Sequence, residues 1–253
     1  MRLLLFKFNM DVNAKNFYEW TPVHLAAMNG YIEIVRLLIG VGAKLTYDCC
    51  GNTPLHLAAE NGHFEVVRLL LVESQINVNA EGFFGWTSLH LAAKNGYIEI
   101  LRLLAHSFGA RVDIKAYEER TPLHLAAENG HFEVVRLLLA EFQVNANAKD
   151  KYGLTPLHLA AKNGRIKVAG LLAREFGACV DATDFQKRTP LHLAAENRHV
   201  EVMNLLMYEF NARVDVDDYS EGVLQYFCME NETIDAEATA YGEAFGAPKT
   251  DRT

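Results

Sequence analysis

The chain has 253 residues, half of them apolar and 22% charged, a balance that can bury a core and excludes disorder throughout. Its formal net charge of -8 is uneven: from Asp217 onward nine acidic residues face only Lys249 and Arg252, and the rest of the chain is nearly neutral. No basic field exists to attract a phosphate backbone, so nucleic acid is not an expected partner.

In chain order, the start holds one basic residue and a short apolar run stopped by Lys7, too short for the core of a signal peptide. Arg2-Leu3-Leu4-Leu5 and Val12-Asn13-Ala14 stand in register with Arg68-Leu69-Leu70-Leu71 and Val78-Asn79-Ala80. Residues 1–15 therefore read as a partial repeat, a second helix without its first. The flank that the missing helix would cover is expected to be exposed, which points to a longer protein or a misassigned start.

A heptapeptide beginning with threonine then recurs at Thr21, Thr53, Thr87, Thr121, Thr155 and Thr189, reading TPVHLAA, TPLHLAA, TSLHLAA and three times TPLHLAA, at spacings of 32, 34, 34, 34 and 34. These copies divide the chain into units 16–47, 48–81, 82–115, 116–149, 150–183 and 184–217. Within the fourth, Thr121 caps a helix and Pro122 suits its first turn, where a missing N–H costs nothing. Leu123, Leu125, Ala126 and Ala127 follow, and Gly130 supplies the stop. A second helix begins near Phe132, with Phe132, Val135, Leu138 and Leu139 at helical spacing and Val134 and Leu137 widening the apolar face. The polar segment from Asn145 to Gly153 reads as a projecting loop or hairpin. Neither short helix can stand alone, so each unit needs its neighbours. Residues 218–247 continue the register as a degenerate, acidic capping repeat, followed by a tail at 248–253. Gly242, Gly246 and Pro248 leave a disordered acidic tail as the alternative.

The motif and its period resemble the ankyrin-repeat family, whose units run to about 33 residues. The resemblance covers almost the whole chain and implies an all-α solenoid of helix-turn-helix units with projecting hairpin or loop fingers. It implies a protein-binding scaffold or adaptor, contacted at the finger tips and the concave face of the first helices. The alternative is a regulatory or targeting segment of a larger enzyme, channel or secreted effector. Another protein is the expected partner, of a chain expected to be monomeric.

Site chemistry is scarce. Six of the ten histidines (His24, His56, His90, His124, His158, His192) share one motif position, and His63, His131 and His199 share another. A residue repeated once per unit serves the unit, and the resemblance implies that the motif histidine bonds backbone near the turns. No His/Cys spacing suits zinc, no glycine loop suits phosphate and nothing activates a nucleophile, so no cofactor, metal or enzymatic activity is expected. Glu33–Arg36, Glu65–Arg68, Glu99–Arg102 and Glu133–Arg136 are spaced for helical ion pairs. Cys49, Cys50, Cys179 and Cys228 lack disulfide or zinc spacing and point to a reducing, intracellular compartment, cytoplasmic with the nucleus open. The sequon at Asn231 reads as chance, and no segment approaches a membrane span.

Where the framework stays fixed, the tips vary. The candidate partner-binding residues are Phe17, Tyr18 and Trp20 on the first finger, Phe83, Phe84 and Trp86 on the third, and Tyr117, Tyr152 and Phe185 beyond, with Met28 and Lys94 at the ends of first helices. For Trp20 and Trp86, packing within the array is an equal reading. Units two and four are identical over Thr53–Leu71 and Thr121–Leu139, the mark of a duplicated two-unit block. Gly170, in place of the usual arginine, reads as a drifted weak point or a place of close partner approach.

Overall fold

The structure is a computed structural model that describes residues 11–213. The expected partial helix, but for residues 11–15, and the capping repeat with its tail, Cys228 and the sequon lie outside the described residues.

Twelve α-helices and no strand occur among the described residues. The first helices of the six units are α1 (Pro22–Met28), α3 (Pro54–Glu60), α5 (Ser88–Asn95), α7 (Pro122–Asn129), α9 (Pro156–Lys162) and α11 (Pro190–Glu196). The second helices are α2 (Ile32–Gly40), α4 (Phe64–Glu73), α6 (Ile98–Arg102), α8 (Phe132–Ala140), α10 (Ile166–Phe176) and α12 (Val200–Asn204), α6 and α12 continuing through a π-helical turn. Every first helix is capped by the motif threonine in extended conformation, and proline opens all but α5, where Ser88 stands. Helices of like kind stack from unit to unit, which is the predicted solenoid.

The core is a set of columns. Ala27, Ala59, Ala93, Ala127, Ala161 and Ala195 let the first helices approach closely, and Leu38, Leu70, Leu104, Leu138, Leu172 and Leu206 run beneath as a buried leucine ladder. Each such leucine removes enough apolar surface from water to contribute roughly 2 kcal/mol. One column breaks: Leu57, Leu91, Leu125, Leu159 and Leu193 are at most 5% exposed, whereas Leu25 is 43% exposed at the start of the stack.

Two of the four expected ion pairs form within their helix, Arg68–Glu65 at 2.8 Å and Arg136–Glu133 at 3.0 Å. The other two do not. Arg36 reaches Glu73 of the next unit at 2.5 Å, and Arg102 reaches Glu141 at 3.2 Å. Gly170 is buried, and a methyl added to it would lie 3.4 Å from an Arg174 nitrogen and 3.8 Å from a Leu205 carbon. Its neighbours are the array itself, which favours drift over partner approach.

Candidate functional site

The fingers are short turns rather than strands. Each is closed by a backbone bond across four residues, from Asn16 N–H to Trp20 O (3.0 Å) in the first through Asp184 N–H to Arg188 O (3.0 Å) in the sixth. Four fingers carry an Asx staple: a side-chain oxygen of Asn16, Asp48, Asp150 or Asp184 accepts the N–H groups two and four residues on, at 2.8 to 3.0 Å. Fingers three and four have Gly82 and Ala116 at that place and cannot be stapled. They turn instead through two successive left-handed residues, Phe84-Gly85 and Glu118-Glu119.

These turns hold the predicted side chains out in water. Phe17 is 93% exposed and Phe185 74%, with Tyr18, Phe83, Phe84, Tyr117 and Tyr152 each about half exposed. Phe83 and Phe84 touch at 3.9 Å between centroids, and Phe84 reaches Tyr117 of the next finger at 5.2 Å. The Lys151 ammonium then lies 4.6 Å above Tyr117 and 4.9 Å from the ring of Tyr152. An aromatic ridge thus crosses fingers three, four and five. Phe17 and Tyr18 form a separate cluster on the first finger, 5.4 Å apart. Between the two stands finger two, with Cys49 and Cys50 in the aromatic columns.

The remaining predicted residues are partly committed to the array. Trp20 is half-buried and its indole N–H donates to Asp48 Oδ2 at 2.9 Å, tying finger one to finger two. Trp86 is half-buried beneath the Lys94 ammonium, 4.7 Å from its ring. Met28 is half-buried and lines a cleft of about 350 Å3 with Tyr18, Trp20 and Leu57. Below the ridge, the Tyr152 hydroxyl donates to Glu118 at 2.7 Å, and that bond together with Lys151 holds Glu118 below the usual carboxylate range. Arg120 sits 3.0 Å from Glu128 and 3.7 Å from the buried Asp150, whose carboxyl is pushed up by burial.

Four of the six motif histidines are mortised at both ring nitrogens. The threonine N–H donates to Nδ1 at 3.1 to 3.2 Å in all six units. On the far side, Nε2–H of His56, His90, His124 and His158 donates to carbonyls of the next finger: Trp86, Arg120, Leu154 and Arg188 respectively. Carbonyls only accept, so Nε2 carries the proton and the ring is neutral. Burial drives His90, His124 and His158 down to about 4. A ring so tied has no free nitrogen for proton transfer. His24 is the exception: its buried Nε2 has no bond, although the carbonyls of Asn52 and Thr46 are near. His63, His131 and His199 donate instead to carbonyls of the preceding unit, at Met28, Lys94 and Lys162. Among the described residues no three His, Cys, Asp or Glu side chains gather as metal ligands.

Sequence reasoning missed the finger aspartates, although a column with Asn16, Asp48, Asp150 and Asp184 against Gly82 and Ala116 carried the signal. It also missed what lies around Cys49 and Cys50. Their sulfurs are 3.8 Å apart and both side chains are exposed along the cleft of Tyr18 and Trp20. Partial desolvation and the neighbouring Cys50 raise the Cys49 thiol above its usual value.

Compared with known proteins, the chain matches the family model for ankyrin repeats, three copies to the model, at residues 1–82, 42–117, 74–150 and 142–218. It is also similar to protein phosphatase 1 regulatory subunit 27 of Homo sapiens and of Mus musculus, 42% identical to each over 40 residues. That match covers 16% of this chain and 26% of those relatives.

Proposed function

The chain belongs to the ankyrin-repeat family, and from that premise we propose that it is a scaffold or adaptor that captures another protein on its finger tips and the concave face of its first helices. Repeats of this family generally mediate protein–protein interaction. The observation that carries the reading is the aromatic ridge from Phe83 to Tyr152, whose rings stand about half exposed above fingers that His90 and His124 tie together. Exposed aromatic side chains of this density are typical anchors of interfaces, and contiguous ones cost solubility unless a partner covers them. Lys151 and Glu118 at the foot of the ridge would set the register of a partner through charge. No helix among the described residues is long and apolar enough to cross a membrane. The cysteine usage supports an intracellular compartment.

The phosphatase regulatory subunits share little more than one repeat with this chain. A match of that length carries the common framework and supplies no partner.

The test is a pull-down from the source cells with the array and with a Phe83→Ser/Phe84→Ser/Tyr117→Ser variant. These side chains support no core, so the variant keeps its melting temperature and loses the specific partner. Capture of the same partner by both proteins would overturn the ridge as the binding surface.

A further inference from the structure

Cys49 and Cys50 are adjacent at the tip of finger two, and their sulfurs stand 3.8 Å apart. If each bonds to one shared atom at about the length of a zinc–thiolate bond, ~2.3 Å, that separation subtends an angle of roughly 110° at the shared atom. The angle suits a pyramidal or tetrahedral centre. Closing the pair into a disulfide would instead bring the sulfurs to about 2.05 Å. The turn opposes that collapse: Asp48 Oδ1 holds the N–H groups of Cys50 and Asn52 at 2.8 Å, and Cys49 N–H donates to Tyr18 O at 3.1 Å.

What kind of centre would be held follows from what else is near. A closed zinc site needs four ligands, and no third His, Cys, Asp or Glu joins the pair among the described residues. Two thiols satisfy a trivalent centre that brings its third bond with it, as one organic substituent. Room for the substituent lies alongside, in the cleft of about 350 Å3 lined by both cysteines with Tyr18, Trp20, Met28 and Leu57. The volume is that of a small-molecule pocket, and those four side chains give it an apolar wall.

We propose that the Cys49–Cys50 pair and its cleft form a binding site for an organic trivalent arsenical or a metalloid compound of the same valence, with the organic group seated against Tyr18 and Trp20. The reaction is a condensation without redox change. An arsenoxide R–As=O takes up the two thiols; two S–H bonds break, two As–S bonds form, and the oxygen leaves with both protons as water. Arsenic stays trivalent, and no oxidant is required. Cys49, its thiol raised toward the protonated form, reacts slowly with simple alkylating agents, so a chelating ligand is favoured over a monofunctional one.

The test uses the full chain with Cys179 and Cys228 replaced by serine, so that the pair supplies the only thiols, and phenylarsine oxide as the probe. Intact-mass measurement should show one phenylarsenic unit per chain, stable to excess glutathione and released by a dithiol such as 2,3-dimercaptopropanol. Cys49→Ser and Cys50→Ser should each lose the glutathione-resistant adduct. Tyr18→Ala should weaken the phenyl compound by roughly ten-fold, the scale of one aromatic contact, and leave the methyl compound unchanged. Release by glutathione, retention in either serine variant, or conversion of the pair to a disulfide under the probe would each overturn the chelate. Equal losses for phenyl and methyl compounds in Tyr18→Ala would overturn the cleft as the seat of the substituent.

Discussion

The junction between the fourth and fifth units and that between the first and second are built to one recipe, yet only the former has its motif histidine bonded on both sides. At the former, His124 bonds Thr121 on one side and Leu154 on the other, and Arg165 Nε donates to Glu128 O at 3.0 Å. At the latter, His24 Nε2 and Thr46 Oγ1 are buried without partners. A cavity of about 280 Å3 opens there, lined by Leu45, Ser74 and Ile76 among others. Two substitutions and a deletion account for it. Ser74 stands where Phe108, Phe142, Phe176 and Phe210 fill the same place, and the first unit is two residues short. Leu45 stands where Asn13, Asn79, Asn147 and Asp181 accept a backbone N–H from the loop of the next unit at 2.7 to 2.9 Å. Stacking identical helices is therefore insufficient; the joints between them decide how tightly neighbours are held.

Acid is the strongest means of breaking the comparison. In the unfolded chain the motif imidazoles take a proton near pH 6.5, whereas in the array His90, His124 and His158 resist until about pH 4. Across that window the unfolded state binds more protons. Stability, full above pH 6.5, should therefore fall as the pH drops toward 4, by roughly 3 kcal/mol for each of these three. Thermal melts across the window check this, and a melting temperature indifferent to pH would show that the rings are not held neutral.

A single joint can be opened next. His124→Ala strands the Thr121 N–H and the Leu154 carbonyl and should cost roughly 2 to 4 kcal/mol. His24→Ala breaks only the bond to Thr21 and should cost about 1 kcal/mol less. Urea denaturation of the two variants measures the gap, and equal losses would erase the distinction between the joints. Smallest is the repair of the weak joint: Leu45→Asn places an acceptor beside the amide of Asn77 and should gain about 0.5 kcal/mol, the new bond being offset by lost apolar contact. A lower midpoint for that variant would mean that Leu45 contributes more as a hydrophobe than the absent latch would.

How much of this was legible in the residues depended on whether the cause was periodic. Helix starts, the left-handed stops at Gly96 and Gly130 and the alanine contacts repeat with the motif, and the sequence displays them directly. The tip aromatics were legible as variation on a fixed frame. Arg36 and Arg102 were misplaced because their partners belong to the next unit, and spacing within a helix is blind to them. Trp20 was ambiguous for the same reason, its indole being claimed by Asp48 of the following finger. The thiol cleft depends on Tyr18 and Cys49 meeting across a gap of thirty-one positions, which no local pattern encodes.

The clearance at the turn glycines has a consequence for how such a gene can change length. Rings of His63, Tyr97, His131 and His199 lie where a Cβ on Gly30, Gly62, Gly96 or Gly164 of the preceding unit would be, within 2.5 to 2.7 Å. The sixth unit has Arg198 in place of this glycine. Further copies inserted among the first five units therefore meet a glycine, and no Cβ, at this one contact. The same insertion placed after the sixth would set the side chain of the next unit against Arg198.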